Sequence, residues 1–188
     1  MQQSWRDDTD KLTFIICRAP SAPVSTVVPA KAFDAPKHML GDINLFLSEE
    51  ADSDSDSEDS FVPDRGYFGK RKLVGEVEVM IADCDEQRKG YGRAAVLMFL
   101  WYVVVRRDEI VASHCDDGVL CHLRAKIHKD NVGSIALFES LLFKKRSEEP
   151  NWFGEYELVL HDLDVVRIIG MMRRYGLKSA KGLRYAYE

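Results

Sequence analysis

The longest apolar run in this sequence, Ala94–Val105, stops at twelve residues. A helix that crosses a bilayer needs about 20. The run therefore reads as a buried helix, and no membrane partner is expected. Cysteine is scarce. Only Cys17, Cys84, Cys115 and Cys121 occur, and their spacing fits no disulfide framework. The opening residues, Met1–Asp10, are polar and charged and lack the apolar stretch of a secretory signal. A reducing location is expected, the cytoplasm first and the nucleus second. No basic stripe interleaved with aromatics appears, so nucleic acid is not an expected partner. His114, Cys115, Cys121 and His122 lie close together, but Cys-x5-Cys fits no common zinc module. No metal is expected.

Proline is equally sparse, and four of the six prolines fall within Arg18–Lys37, which reads as an irregular loop. The acids cluster in the same way. Glu49–Asp59 holds seven acids and no base. Without those seven of the chain's 31 acids, 24 remain against 26 bases, so the net charge of −5 belongs to one segment. Residues 49–69, with their Asp-Ser repeat, cannot bury enough apolar area to order themselves and read as a solvated, disordered insert.

The 188 residues suit one core. Leu12–Cys17 is β-branched and aromatic, hence a strand; His38–Leu47 reads as a second, joined to it as a hairpin. Leu73–Ala82 alternates, with Val74, Glu76, Glu78 and Met80 on one face and Gly75, Val77, Val79 and Ile81 on the other. A polar turn at Asp83–Gly92 leads into a helix over Arg93–Val105. Cys121–Ile127 is a strand, Asn131–Leu141 a helix, and Phe153–Leu160 a strand. Such an order gives a mixed α/β domain over residues 1–163. Residues 164–188 hold a basic amphipathic helix, Val165–Tyr175, that docks on the domain or a partner, then a basic, aromatic tail.

The turn before the first helix carries the clearest chemistry. It reads Gln87-Arg88-Lys89-Gly90-Tyr91-Gly92-Arg93. Glycines let the backbone turn and approach a ligand. Successive N–H groups at a helix start form a fixed anion site, and Arg88, Lys89 and Arg93 add positive charge. A diphosphate is the natural guest. The Walker pattern is absent, and only two of the three dinucleotide-loop glycines are present. Gln87, Gly90 and Gly92 complete the pattern Gln/Arg-x-x-Gly-x-Gly/Ala. That pattern resembles the acetyl-CoA pyrophosphate loop of the GNAT superfamily of N-acetyltransferases. A second segment, Lys126–Phe143, resembles the later motif of the same superfamily through Asn131, Ser134, Phe138 and Phe143.

The stretches Gln3–Trp5, Leu12–Ile15, Leu40–Leu47 and Gly75–Ala82 are similar to the N-acetyltransferase 9 branch. The resemblance covers about residues 1–160. It implies the GNAT-type acyl-CoA N-acyltransferase fold, a mixed, mostly antiparallel sheet flanked by helices, and acetyl-CoA as acetyl donor. The implied cofactor residues are Met80, Ile81, Ala82, Gln87, Arg88, Lys89, Gly90, Tyr91, Gly92, Arg93, Asn131 and Ser134. Met80, Ile81 and Ala82 would serve through N–H groups of a bulged strand that receive the thioester oxygen. Two departures stand out. The branch carries a strand and a helix, one wall of the acceptor cleft, before the segment that resembles Met1–Lys11. Phe138 stands where many members place a proton-donating Tyr; water can protonate the thiolate instead.

The implied reaction is attack of an amine on the thioester. A carboxylate near the acceptor must first take a proton, and Glu76 and Glu78 are the candidates; the rival reading of both is a solvated sheet face. The acceptor implied is an amine of a protein or peptide. The alternative function is a catalytically weak GNAT-fold protein that binds a partner. The sequence is silent on oligomeric state.

Overall fold

The computed structural model describes residues 10–18, 27–29, 35–50, 69–177 and 184–186. The expected acidic insert, apart from its ends, and the segment Gln3–Trp5 lie outside the described residues. The described strands and α-helices are β1 (Lys11–Cys17), β2 (Val27–Pro29), β3 (Met39–Glu49), β4 (Arg71–Ile81), α1 (Tyr91–Val105), α2 (Arg107–His114), β5 (Gly118–His128), α3 (Val132–Ser140), β6 (Lys144–Lys145), β7 (Glu155–Leu160), α4 (Val165–Arg174) and β8 (Arg184–Ala186).

Six strands form one sheet in the order β1-β3-β4-β5-β7-β6. Only β4 and β5 run parallel; the other neighbours are antiparallel. The mixed, mostly antiparallel sheet expected from the sequence is therefore present. The period of two sorts each strand into faces. Ile43, Leu45, Leu47, Leu73, Val77, Leu123, Ala125, Leu158 and Leu160 join one core with Val96, Leu97, Leu100 and Val103 of α1. Ile168, Met171 and Met172 of α4 enter the same core, so the basic amphipathic helix docks on the domain itself. The other face carries Asn44, Glu76, Glu78, Arg124 and Lys126.

Several boundaries differ from the sequence expectation. β1 and β3 pair as neighbours, but the proline-rich connection between them contains β2, which pairs in parallel with β8. The first helix starts at Tyr91, two residues before Arg93. The helix Arg107–His114 was not anticipated. It buries a single residue, Val111, so its sequence shows no apolar stripe. Strand β7 begins at Glu155 rather than Phe153, because Trp152 and Phe153 sit exposed in the turn before it.

Candidate functional site

The sheet divides where its two parallel strands part. β4 pairs with β5 from Arg71↔Gly118 to Glu76↔Arg124, and there the ladder ends. β4 continues to Ile81 alongside β3, and β5 continues to His128 alongside β7. A slot is left between the C-terminal halves of β4 and β5. Such a crevice at the carboxyl ends of parallel strands is where open α/β sheets bind ligands. Both strands lead at this end into helices, α1 and α3, so two helix N-termini lie beside it.

The turn into α1 is built on unusual backbone angles. Gly90, the N-cap, has φ 92°, and Arg88 has φ 59°. Among the described residues nothing lies within 4 Å of a Cβ placed on Gly90; glycine is needed there for its angle and leaves open space beside the loop. The first helical bond runs from Ala94 N–H to the Gly90 carbonyl at 3.0 Å. The N–H groups of Tyr91, Gly92 and Arg93 precede it, and no side chain caps them. A helix start with free N–H groups and partial positive charge is an anion site. Gln87 ties the loop to the strand: its Nε2 donates to the Ile81 carbonyl at 2.9 Å.

The three loop cations are placed differently. Arg88 is exposed. Lys89 does not stand free over the loop, because its Nζ pairs with Glu86 Oε1 at 3.2 Å. Arg93 lays its guanidinium over the Tyr175 ring, 4.6 Å from the centroid, and its Nε is buried without a hydrogen-bond partner among the described residues. Glu86 is a site residue that sequence reasoning missed. It is 7% exposed and also accepts from Arg18 Nη2 at 2.9 Å. Hydrogen bonding to Arg18, reinforced by Lys89, holds its carboxyl below the usual carboxylate range against the cost of burial. Glu86 thereby fastens the end of β1 to the loop.

The strand groups expected to receive the thioester oxygen need correction. The β3–β4 register is unbroken from Gly41↔Ile81 to Glu49↔Leu73, so no bulge interrupts that pairing at Met80–Ala82. The irregularity lies in the β4–β5 pairing, where Leu73↔Leu120 is followed by Val74↔His122 and Cys121 of β5 is the extra residue. Ala82 N–H donates to the Leu40 carbonyl at 2.8 Å, which removes it as a donor to ligand. Alternation turns Met80 toward β3 as well. Ile81 and Val79 face the slot instead. Gln87 occupies the Ile81 carbonyl and leaves the Ile81 N–H available. Val79 was not in the expected set; only the register reveals its direction.

The two candidate carboxylates differ in the same way. Glu76 Oε2 accepts from Arg124 Nε at 3.0 Å and pairs with Lys126 Nζ at 2.9 Å. Glu78 is exposed, stands opposite Asn44, and forms no ion pair among the described residues. It lies on the part of β4 beyond the last β5 pair. Of the two, Glu78 is the carboxylate without a cation partner among the described residues.

The second motif is mostly structural in its contacts. Asn131 is the N-cap of α3, and its Oδ1 accepts from Ser134 N–H at 3.1 Å. Phe138 is buried and packs edge-on against Phe143, with centroids 5.0 Å apart. An apolar groove of about 460 Å³ runs between β1 and α1, lined by Phe14, Ile16, Met98 and Tyr102 among others. It lies away from the loop and carries little that could orient a polar ligand.

No family model matches the chain. It is 32% identical over 156 residues to the N-acetyltransferase 9-like protein of Schizosaccharomyces pombe, covering 77% of this chain and 68% of that protein. It is 34% identical over 143 residues to the alpha/beta-tubulin-N-acetyltransferase 9 of Drosophila melanogaster, covering 76% of this chain but only 55% of the relative. Among solved structures, Arabidopsis thaliana NAA60 in complex with acetyl-CoA aligns with a TM-score of 0.51 at 12% identity. That match covers 84% of this chain and 80% of the other, and the likeness is one of fold.

Proposed function

The chain belongs to the N-acetyltransferase 9 family of the GNAT superfamily, a family of acetyl-CoA-dependent N-acetyltransferases, and from that membership we propose that it acetylates an amine of a protein or peptide. The observation that carries this reading is the uncapped start of α1 beside the parted strands. The residues there fit the donor. Open space lies beside Gly90, three N–H groups precede the first helical bond, and the guanidinium of Arg93 has an unpartnered Nε. Acetyl-CoA supplies an acetyl thioester, which an amine can attack.

The chain's own residues divide the remaining work. The first turn of α1 and Arg88 hold the diphosphate. The N–H groups of Ile81 and Val79 face the slot, where they can hold an oxygen on which charge develops. Glu78 takes the proton that the attacking amine must lose, directly or through water. As the N–C bond forms, the C–S bond breaks, and water protonates the departing thiolate. Glu76 holds Arg124 and Lys126 in place across the strand pair.

The fly relative's name points to α- and β-tubulin, so these and their amine-bearing peptides are the first acceptors to test. Mass spectrometry should find acetyl transfer from acetyl-CoA to one of them. Glu78→Gln should lower kcat by about 10²- to 10⁴-fold with the Kd for acetyl-CoA unchanged, whereas Glu76→Gln should act mainly on stability. A Glu78→Gln variant of normal rate would remove Glu78 as the base. A wild-type chain that binds acetyl-CoA and acetylates no amine would make it a partner-binding module.

A further inference from the structure

Tyr175, just past α4, gathers two guanidiniums. Arg93 lies 4.6 Å and Arg174 5.9 Å from its ring centroid. The ring is held in place at the other end, since Tyr175 Oη donates to the Ser140 carbonyl at 3.3 Å. Among the described residues, neither arginine forms an ion pair or a hydrogen bond to a carboxylate. Other exposed arginines are matched, Arg71 with Asp117, Arg106 with Glu109 and Arg146 with Glu157, and those without a carboxylate among the described residues, such as Arg88 and Arg173, lie on no shared ring. Two like charges beside one ring repel, and cation–π attraction of about 0.5–2 kcal/mol per cation offsets only part of that. An anion between them would reverse the sign. One of the pair, Arg93, sits in the first turn of α1, next to the proposed diphosphate cradle.

We propose that Arg93 and Arg174, presented on the Tyr175 ring, form a second anion subsite that takes the 3′-phosphate of the CoA adenosine. The inference rests on the reading of the α1 turn as the diphosphate site. The chemistry matches. The 3′-phosphate is attached to the ribose that carries the diphosphate, so a guanidinium pair that includes Arg93, whose backbone belongs to the same first turn of α1 as the cradle, is near enough to meet it. Guanidinium is the preferred partner of a terminal phosphate, with charge-assisted, often bidentate bonds. Tyr175 is then a positioning residue: it holds the two planar groups and contributes no bond of its own to the phosphate. The C-terminal helix thereby becomes part of the donor site, and the site gains a means to distinguish CoA from dephospho-CoA.

The test is isothermal titration of the full chain with acetyl-CoA and with acetyl-3′-dephospho-CoA. Wild type should bind acetyl-CoA more tightly by about 10- to 100-fold, the scale of a hydrogen bond to a charged group. Arg174→Gln lies on an exposed side chain and should leave the fold intact. It should lower affinity for acetyl-CoA, leave affinity for the dephospho ligand unchanged, and shrink the ratio toward one. Tyr175→Leu should shrink the ratio while keeping both arginines. Equal affinity of wild type for both ligands would overturn the subsite and leave the diphosphate cradle standing. A ratio unchanged in Arg174→Gln would overturn the role of Arg174. Failure of wild type to bind either ligand would overturn the cradle reading, and the subsite with it.

Discussion

Two helix N-termini lie beside the slot between β4 and β5, and they are finished differently. The start of α3 is closed by its own side chain: Asn131 Oδ1 accepts from Ser134 N–H. The start of α1 has Gly90 at the cap position, with no side chain to close it. Both helices have the same dipole and the same leftover N–H groups. Only α1 leaves those groups for something else. On the proposed reading of the α1 turn, a binding site is marked as much by a withheld cap as by the cations around it. The same contrast separates Glu76, engaged by two cations, from Glu78, engaged by none among the described residues.

The largest effect should come from closing the open terminus. Gly90→Glu places a carboxylate at the cradle and forces a side chain onto φ 92°. The backbone penalty is about 1–2 kcal/mol, which a folded domain can carry. Binding of acetyl-CoA should become undetectable by titration while circular dichroism still reports a folded chain. Retained binding would mean that the donor does not use the α1 turn.

That loop is legible in the sequence because its chemistry is local. Gln87, Gly90 and Gly92 stand within six residues, and backbone N–H groups need no distant partner. The strand at Leu73–Ala82 was legible from its period of two, whereas the mostly antiparallel order came only with the family resemblance. What stayed hidden was set by distance along the chain. Glu76 meets an arginine 48 positions away, and Glu86 one 68 positions away. The N–H direction of Val79, Ile81 and Ala82 is a property of the β3–β4 register, not of residue type. The α2 helix escaped because one buried residue leaves no pattern to read.

The second prediction opens the closed terminus. Asn131→Ala removes the cap of α3 and should cost about 1 kcal/mol of stability, measured as a lower denaturation midpoint in urea. Affinity for acetyl-CoA should not change, because Asn131 Oδ1 is already occupied by Ser134. A loss of affinity larger than the loss of stability would restore Asn131 as a cofactor contact and weaken the contrast between the two helices.

The smallest effect concerns how the open loop is held, and it appears as a slope rather than an offset. Glu86 is kept below the ordinary carboxylate range by its hydrogen bond from Arg18, with Lys89 adding to it. An unfolded Glu titrates near about 4.3. A carboxyl whose folded value lies lower contributes stability that is fully present above the unfolded value and is lost as pH falls through the folded one. Glu86→Gln removes that contribution. The Tm of wild type should exceed that of the variant at pH 7, and the gap should close as pH drops below about 4.3. A gap that stays constant down to pH 3 would show that Glu86 acts by shape and neutral hydrogen bonding, leaving the loop fastened without its charge. A gap of opposite sign at pH 7 would show that burying the carboxylate, with Oε2 lacking a hydrogen bond, outweighs both of its cations. The loop would then be held under strain for the sake of the anion it faces.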